Sequence, residues 1–201
     1  MTTREAAKAV ARAAAHLAVM PAWASFAIRA RLMGRDRALL ASTQALAIIP
    51  GLAGQYLRRA FLQHAIAHCH HSAVIEWGTT LSRAGARIDD GVYIGPSCHL
   101  GLAHVERDAL IASGVQVPSG AMTHGIDDVS LPIRDQPGRE RLIRIGAGAW
   151  IGAAAVIMAN VGDHTVVGAG AVVTRPLPSG VVAAGVPARV LRQRAPCREA
   201  V

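Results

Sequence analysis
Between residues 143 and 192, aliphatic side chains return at every sixth position: Ile145, Ile151 and Ile157, then Val161, Val167 and Val173 after a four-residue step. Glycine or another small residue follows most of them. A period of six is neither helical nor simply alternating. It marks a β-helix built from hexads, each forming one flat side of a prismatic coil. Aliphatics stack inward as ladders, and small residues allow the tight corner between sides.

The period runs backwards through Ile75 and Leu81, then Ile88, Ile94 and Leu100, then Val105, Ile111 and Val117 after a five-residue step. Three hexads close one triangular coil, so these positions predict roughly four to five stacked coils. The fold class expected is mainly β. The repeat occupies 73–186, behind a helical segment over 1–72 and ahead of a short C-terminal helix or tail over 187–201. Between Val117 and Ile145 the period stops for a polar, charged insertion, 118–142, containing Pro132, Pro137 and Gly138. A long loop inside a strict repeat is a place for function.

A chain of 201 residues, 52% hydrophobic, can bury a sizeable core, and its 3% aromatic content suits a narrow prism filled by Val, Ile, Leu and Ala. Cys69, Cys98 and Cys197 have no metal-site spacing, and their odd number argues against a disulfide framework. A reducing, cytoplasmic setting follows.

Charge is uneven. Residues 1–72 hold nine Lys or Arg against Glu5 and Asp36, a surplus of +7 within a total of +8. Two apolar runs lie there, 13–28 and 38–54, with Arg29, Arg31, Arg35 and Arg37 between them and Arg58 and Arg59 after the second. Each run is shorter than the ~20 residues of a spanning helix, and each contains a proline, Pro21 or Pro50. Glu5 and the helix-like sequence beyond it argue against a cleavable leader. Two readings stay open. The helices cap an open end of the prism with their arginines solvated, or they lie on the anionic inner face of the cytoplasmic membrane as a peripheral contact. The basic residues form no recognisable nucleic-acid reader, so no nucleic-acid partner is expected.

Three segments, IGAGAWIGAAAVI, VVGAGAVVTRPLP and VVAAGVPARVLR, give the chain from about Ile75 to Arg192 a resemblance to a known family. It resembles the left-handed β-helix hexapeptide-repeat acyltransferases, nearest to the galactoside-acetyltransferase-like branch that O-acetylates sugars and polysaccharides. The helical stretch GRDRALLASTQALAIIPGLAGQYLRRAF looks like that of bacterial polysaccharide acetyltransferases. The resemblance implies a left-handed coil, acetyl-CoA as acyl donor, a saccharide acceptor such as a polysaccharide or lipid-linked glycan precursor, no required metal, and a homotrimer with active sites between subunits.

Transfer from a thioester to a hydroxyl needs a base, an oxyanion donor and a thioester site. Histidine suits the first, because neutral imidazole accepts a proton near working pH. His124, in PSGAMTHGIDD, sits where the coil gives way to the insertion; relatives carry their catalytic histidine in this region, after a pair matching Ser119-Gly120. Some place it nearer the glycine, where this chain has Ala121 and Met122. Asp127 or Asp128 could orient its ring. Position by position, the resemblance assigns coenzyme A contacts to Ala153 after the Trp150-Ile151-Gly152 motif, with Trp150 as a wall of the channel. It adds Ala169, Thr174, Arg175, Arg189 and Arg192; arginine suits the donor's phosphates. Ser97 and His99, in YIGPSCHLG, fall where relatives meet the sugar, though either could be an outward residue at a coil corner. Cys98 lacks an activating partner, and direct transfer needs no acyl-enzyme.

Two other classes are weighed. The gamma-class carbonic anhydrases share the coil and hold a metal with three histidines across subunits. His99 and His104 have their spacing, and His70 or His71 would have to supply the third ligand. A non-catalytic β-helical scaffold is the other.

Overall fold
Hexads whose inward residue is aliphatic close into a prism because three flat sides bury one ladder each, with every backbone group paired to the coil above or below. The structure, a computed structural model, describes residues 3–194. Three helices come first: α1 (Thr3–Met33), α2 (Arg35–Ala47) and α3 (Gly51–Ala65). A parallel β-solenoid of about six turns follows, with the left-handed β-helix fold.

One side stacks β1 (His68–Cys69), β4 (Arg87–Ile88), β7 (Ala103–Val105) and β10 (Ile143–Ile145), continued by single bridges from Ile145 to Val161 and from Val161 to Leu177. The second stacks β2 (Val74–Ile75), β5 (Tyr93–Ile94), β8 (Leu110–Ile111), β11 (Trp150–Ile151), β13 (Val166–Val167) and β15 (Val181–Ala184). The third stacks β3 (Thr80–Leu81), β6 (His99–Leu100), β9 (Gln116–Val117), β12 (Val156–Ile157) and β14 (Val172–Val173). All these pairings are parallel and in register, so residues alternate along each strand between the core and the outside. Each hexad aliphatic named above is buried.

The solenoid is longer than the four to five coils expected. Cys69 adds a rung at the bottom, and Leu177 and Ala183 add rungs at the top, all three buried. None fits the pattern of a branched aliphatic followed by a small residue.

Helices α2 and α3 cover the first coil, as the capping reading expects. Thr43 Oγ1 donates to the Leu81 carbonyl at 3.1 Å, and Gly78 N–H donates to the Ala47 carbonyl at 2.8 Å. Arg58 and Arg59 are not solvated. Arg58 is 3% exposed and donates Nε to the Ile75 carbonyl at 3.0 Å and Nη1 to the Leu46 and Ile49 carbonyls. Arg59 Nη1 donates to the Ala73 carbonyl at 3.1 Å. An open solenoid end presents unpaired carbonyls, and the two guanidiniums supply donors to them. The apolar run 13–28 continues as one helix through Pro21, whereas Pro50 stands at the start of α3.

The expected C-terminal helix is corrected. Residues Arg189–Gln193 form β16, antiparallel to β15, after a turn in which Gly185 takes φ 100. The exposed edge of the last rung offers a partner that the local sequence does not reveal. Residues 195–201, the rest of that segment, lie outside the described residues, as does Cys197.

Candidate active site
The insertion leaves the coil after β9 and returns at β10, and its root is narrow. Arg141 N–H donates to the Ser119 carbonyl at 2.8 Å and Arg139 N–H to the Met122 carbonyl at 2.6 Å. Ser119 is buried, and its Oγ accepts the Leu102 N–H at 2.9 Å. Gln136, also buried, pins the tip: Nε2 donates to the Asp128 and Leu131 carbonyls at 2.7 and 3.0 Å, while Oε1 accepts the Asp128 N–H. Glu140 pairs with Arg83 of the first coil, and Arg83 lies 3.8 Å from Asp36 of α2. The insertion is therefore anchored to both solenoid and cap.

His124 stands on this ordered loop with its side chain exposed. Its backbone is held against the returning chain at Gly138, where an added Cβ would lie 2.0 Å from the Thr123 carbonyl and 2.7 Å from the His124 nitrogen. Only glycine permits that crossing. The histidine borders a cleft of about 330 Å³ together with Met122, Asp127, Arg139 and Arg141. A second cleft, about 310 Å³, holds Thr174, Met158 and Asn160 and shares Met122, Arg139 and Arg141 with the first. His124 and Thr174 thus lie on adjoining hollows with a common basic wall.

Among the described residues neither aspartate hydrogen-bonds His124. The Asp128 carboxylate accepts the Ser130 hydroxyl at 2.6 Å and its N–H at 2.8 Å, which lowers its pKa. Asp127 lines the histidine's cleft.

The donor residues named from the sequence do not form one pocket within a single chain. Trp150, half exposed, faces outward from the second side, in register between Leu110 and Val166. Ala153 and Ala169 stack on the corner between the second and third sides, where Gly170 N–H donates to the Ala153 carbonyl at 2.8 Å. Their own N–H groups have no protein partner among the described residues. Thr174 and Arg175 sit on the next corner; Thr174 lines the second cleft and Arg175 does not. Arg189 and Arg192 are exposed on β16, opposite Ala184 and Val182.

On the acceptor side, Ser97 occupies a corner with φ 58, the backbone conformation that Gly78, Gly114, Ala154 and Gly170 also adopt. His99 faces out from the third side, half-buried, with Nδ1 2.9 Å from Thr80 Oγ1. Burial, and then the nearby Arg83 charge, hold its pKa below the ordinary value, so its neutral form is favoured. Cys98 is buried with its thiol directed to the Ala112 carbonyl at 3.1 Å, and burial pushes its pKa up, the opposite of an activated nucleophile.

His99 and His104 leave from different sides. His104 Nε2 meets Asp89 at 3.0 Å on the first side, and His70 Nδ1 meets Ser72 Oγ at 2.8 Å. The spacing that suggested a metal pair therefore does not bring the two rings together in this chain. Among the described residues no three His, Cys, Asp or Glu side chains are arranged to hold a metal ion.

Arg139 and Arg141 were not singled out by the sequence reading. The clue available was the basic cluster PGRER just before the repeat resumes. Among the described residues neither guanidinium has an ion-pair partner.

No protein-family model matches the chain. It is 29% identical over 164 residues to the galactoside O-acetyltransferase of Escherichia coli strain K12, across 71% of this chain and 81% of that one. Among solved structures, a galactoside acetyltransferase in complex with coenzyme A is similar with a TM-score of 0.67 at 24% identity, covering 79% of this chain and 80% of that one. A maltose O-acetyltransferase from Clostridium difficile 630 is similar with a TM-score of 0.60 at 18% identity, covering 82% and 89%. The solenoid fold is common to this chain and the two solved structures.

Proposed function
We propose that this chain, a homologue of galactoside O-acetyltransferase, transfers an acetyl group from acetyl-CoA to a saccharide hydroxyl, with His124 as general base. The observation that carries this reading is His124 on an anchored loop, at a cleft that shares its basic wall with the hollow holding Thr174. The solved relative with bound coenzyme A supports the choice of donor.

The reaction is a direct displacement. His124 takes the hydroxyl proton as the sugar oxygen bonds to the thioester carbonyl carbon. The C–S bond then breaks, and the departing thiolate takes up the proton carried by the imidazolium. Backbone N–H groups at the corner, Ala153 and Ala169 among them, are free to stabilise charge on the carbonyl oxygen or hold the donor's polar groups. Arg139 and Arg141 offer fixed positive charge beside both substrates.

The separation of Trp150, Ala153 and Ala169 from His124 in one chain supports a homotrimer with sites between neighbouring prisms. The flat second side, with Leu110 and Trp150 exposed, suits such packing. Ser97 and His99 are assigned to the acceptor, a polysaccharide or lipid-linked glycan precursor. Dependence on acetyl-CoA puts the work in the cytoplasm. Calorimetric titration with acetyl-CoA tests the reading: saturable binding near one site per chain is expected, and heat without saturation would overturn it.

A further inference from the structure
We propose that the solvent face of α1 is a docking surface for an anionic lipid bilayer, a property independent of the reaction assigned above. Helix α1 packs through Ala15, Val19 and Phe26, which are buried, and joins α2 through Arg29 Nη2 to Ser42 Oγ at 3.0 Å. A helix that is apolar all round is normally covered all round. This one is covered on one face only.

The opposite face carries Val10, Leu17, Met20, Ile28 and Leu32; Leu17 is 75% exposed and Leu32 78%. Ala13, Ala14, Pro21 and Ala24 fill the spaces between them, all exposed. At helical spacing these residues fall within an arc of about 120° and run for about 33 Å. The one charged residue in the arc is Arg31, near its C-terminal end. The strip continues onto α3, where Leu52 (71% exposed) and Ala53 border an apolar cleft of about 510 Å³ shared with Ala11 and Ala14. Contiguous exposed apolar surface on this scale marks an interaction site.

Charge selects the occupant. Arg31 and Arg37 are exposed at the C-terminal end of the strip, within the segment that carries a surplus of +7, while Arg35 Nη2 is turned inward and donates to the Ala65 carbonyl at 3.2 Å. Asp36 is turned to the prism, accepting the Ala84 N–H at 2.8 Å. A second copy laid strip to strip would bring two such surpluses together, whereas anionic headgroups neutralise them. No described helix is long and apolar enough to cross a membrane. The helix therefore lies in the interface, its apolar strip among the upper acyl chains and its arginines at headgroup level, with the protein body in place of a peptide's polar face. Through Asp36 and Arg83, the cap that docks is tied to the root of the His124 loop.

Full-length protein is sedimented with vesicles of phosphatidylcholine alone and with about 30 mole per cent phosphatidylserine, at low and high salt. Binding is expected only to the anionic vesicles, weakened by salt, and reduced at least tenfold in a Leu17→Glu/Ile28→Glu variant with unchanged thermal unfolding. Arg31→Gln/Arg37→Gln, which leaves the apolar side chains of the strip intact, is expected to weaken binding about fivefold per arginine. Three results would overturn the proposal. They are no binding to anionic vesicles at low salt, unchanged binding in the arginine variant, or a fall in solution mass of the strip variant, which would show a second copy on that face.

Discussion

Arg83 on the first coil and Glu140 at the end of the insertion close on each other across 57 residues of chain, with Arg83 Nε donating to Glu140 Oε2 at 2.7 Å. The pair is partly exposed and contributes little to global stability, about 1 kcal/mol at most. Its consequence is local, because it fixes the returning limb that carries Arg139 and Arg141 past His124. Glu140→Gln keeps the shape and loses the charge. It is expected to lower kcat/KM by about ten- to hundredfold through misplacement of the cleft wall. Thermal unfolding should barely move, and limited proteolysis within 121–138 should quicken. Parent-like kinetics and cleavage together would show that other contacts hold the loop.

His124→Ala is expected to lower turnover by about a hundredfold or more, the usual loss of a general base. The residue is exposed, so folding and solution mass should match the parent. Steady-state rates with excess acetyl-CoA and a screened sugar acceptor measure this, and near-normal turnover would remove His124 from the mechanism.

Arg189 and Arg192 lie exposed on β16, on the strand that seals the last rung rather than on a helix. Neither supports the fold through an ion pair among the described residues. Replacing both with alanine is expected to raise the KM for acetyl-CoA more than it lowers kcat, as for binding equally strong in ground and transition states. Unchanged donor affinity would make them surface residues.

The ladder of the solenoid was legible because each hexad announces its own inward residue. Ile145, Ile151 and Ile157 need no distant information to be recognised. Cys69, Leu177 and Ala183 hid because a rung is defined by its neighbours as much as by its side chain: Leu177 is followed by Pro178, and Ala183 is too small to stand out. The strand at Arg189 was illegible for a related reason, since its partner is the open edge of the final coil. In the candidate site, the insertion was visible as a break in period, which is what drew His124 into the proposal. Arg139 and Arg141 were not, because an arginine's role depends on what the loop folds against. Arg58 and Arg59 misled in the opposite sense: basic residues read as solvated are buried beneath the first coil.

Acidification acts on two rings, since burial and the neighbouring His70, Arg12 and Arg59 also hold His71 below its ordinary pKa, and a variant at His99 isolates that ring's share. Burial first, and Arg83 second, lower the His99 pKa in the folded chain. As pH falls through about 6.5, the unfolded chain binds the proton before the folded one does. The stabilising contribution is therefore full above that value and is lost as pH drops toward the folded pKa. Glu140, lowered mainly by its hydrogen bond to Arg83, behaves likewise, but only below about 4.3. Tm should fall between pH 6.5 and 5, with a shallower slope in His99→Gln. An identical slope in the variant would assign the loss to other groups.

Arg58 sets the strength of the cap. Its guanidinium reaches three carbonyls on three segments, Ile75 of the first coil, Leu46 of α2 and Ile49 of the connection to α3. Burial lowers its pKa, although Glu76 acts in the other direction, and Nη2 has no partner among the described residues. The desolvation is therefore only partly repaid. A residue that bridges three elements still stabilises the native arrangement, because removing it strands their carbonyls away from water. Arg58→Met preserves most of the buried volume and is expected to cost about 3 kcal/mol, lowering Tm by roughly 6–12 °C in a chain of this size. Acetyl-CoA affinity should survive at temperatures where the variant is folded, since Arg58 lies at the opposite end of the solenoid from β16. A Tm within a degree of the parent would mean that water satisfies those carbonyls and that packing by Phe61 and Leu62 alone holds the helices on the first coil.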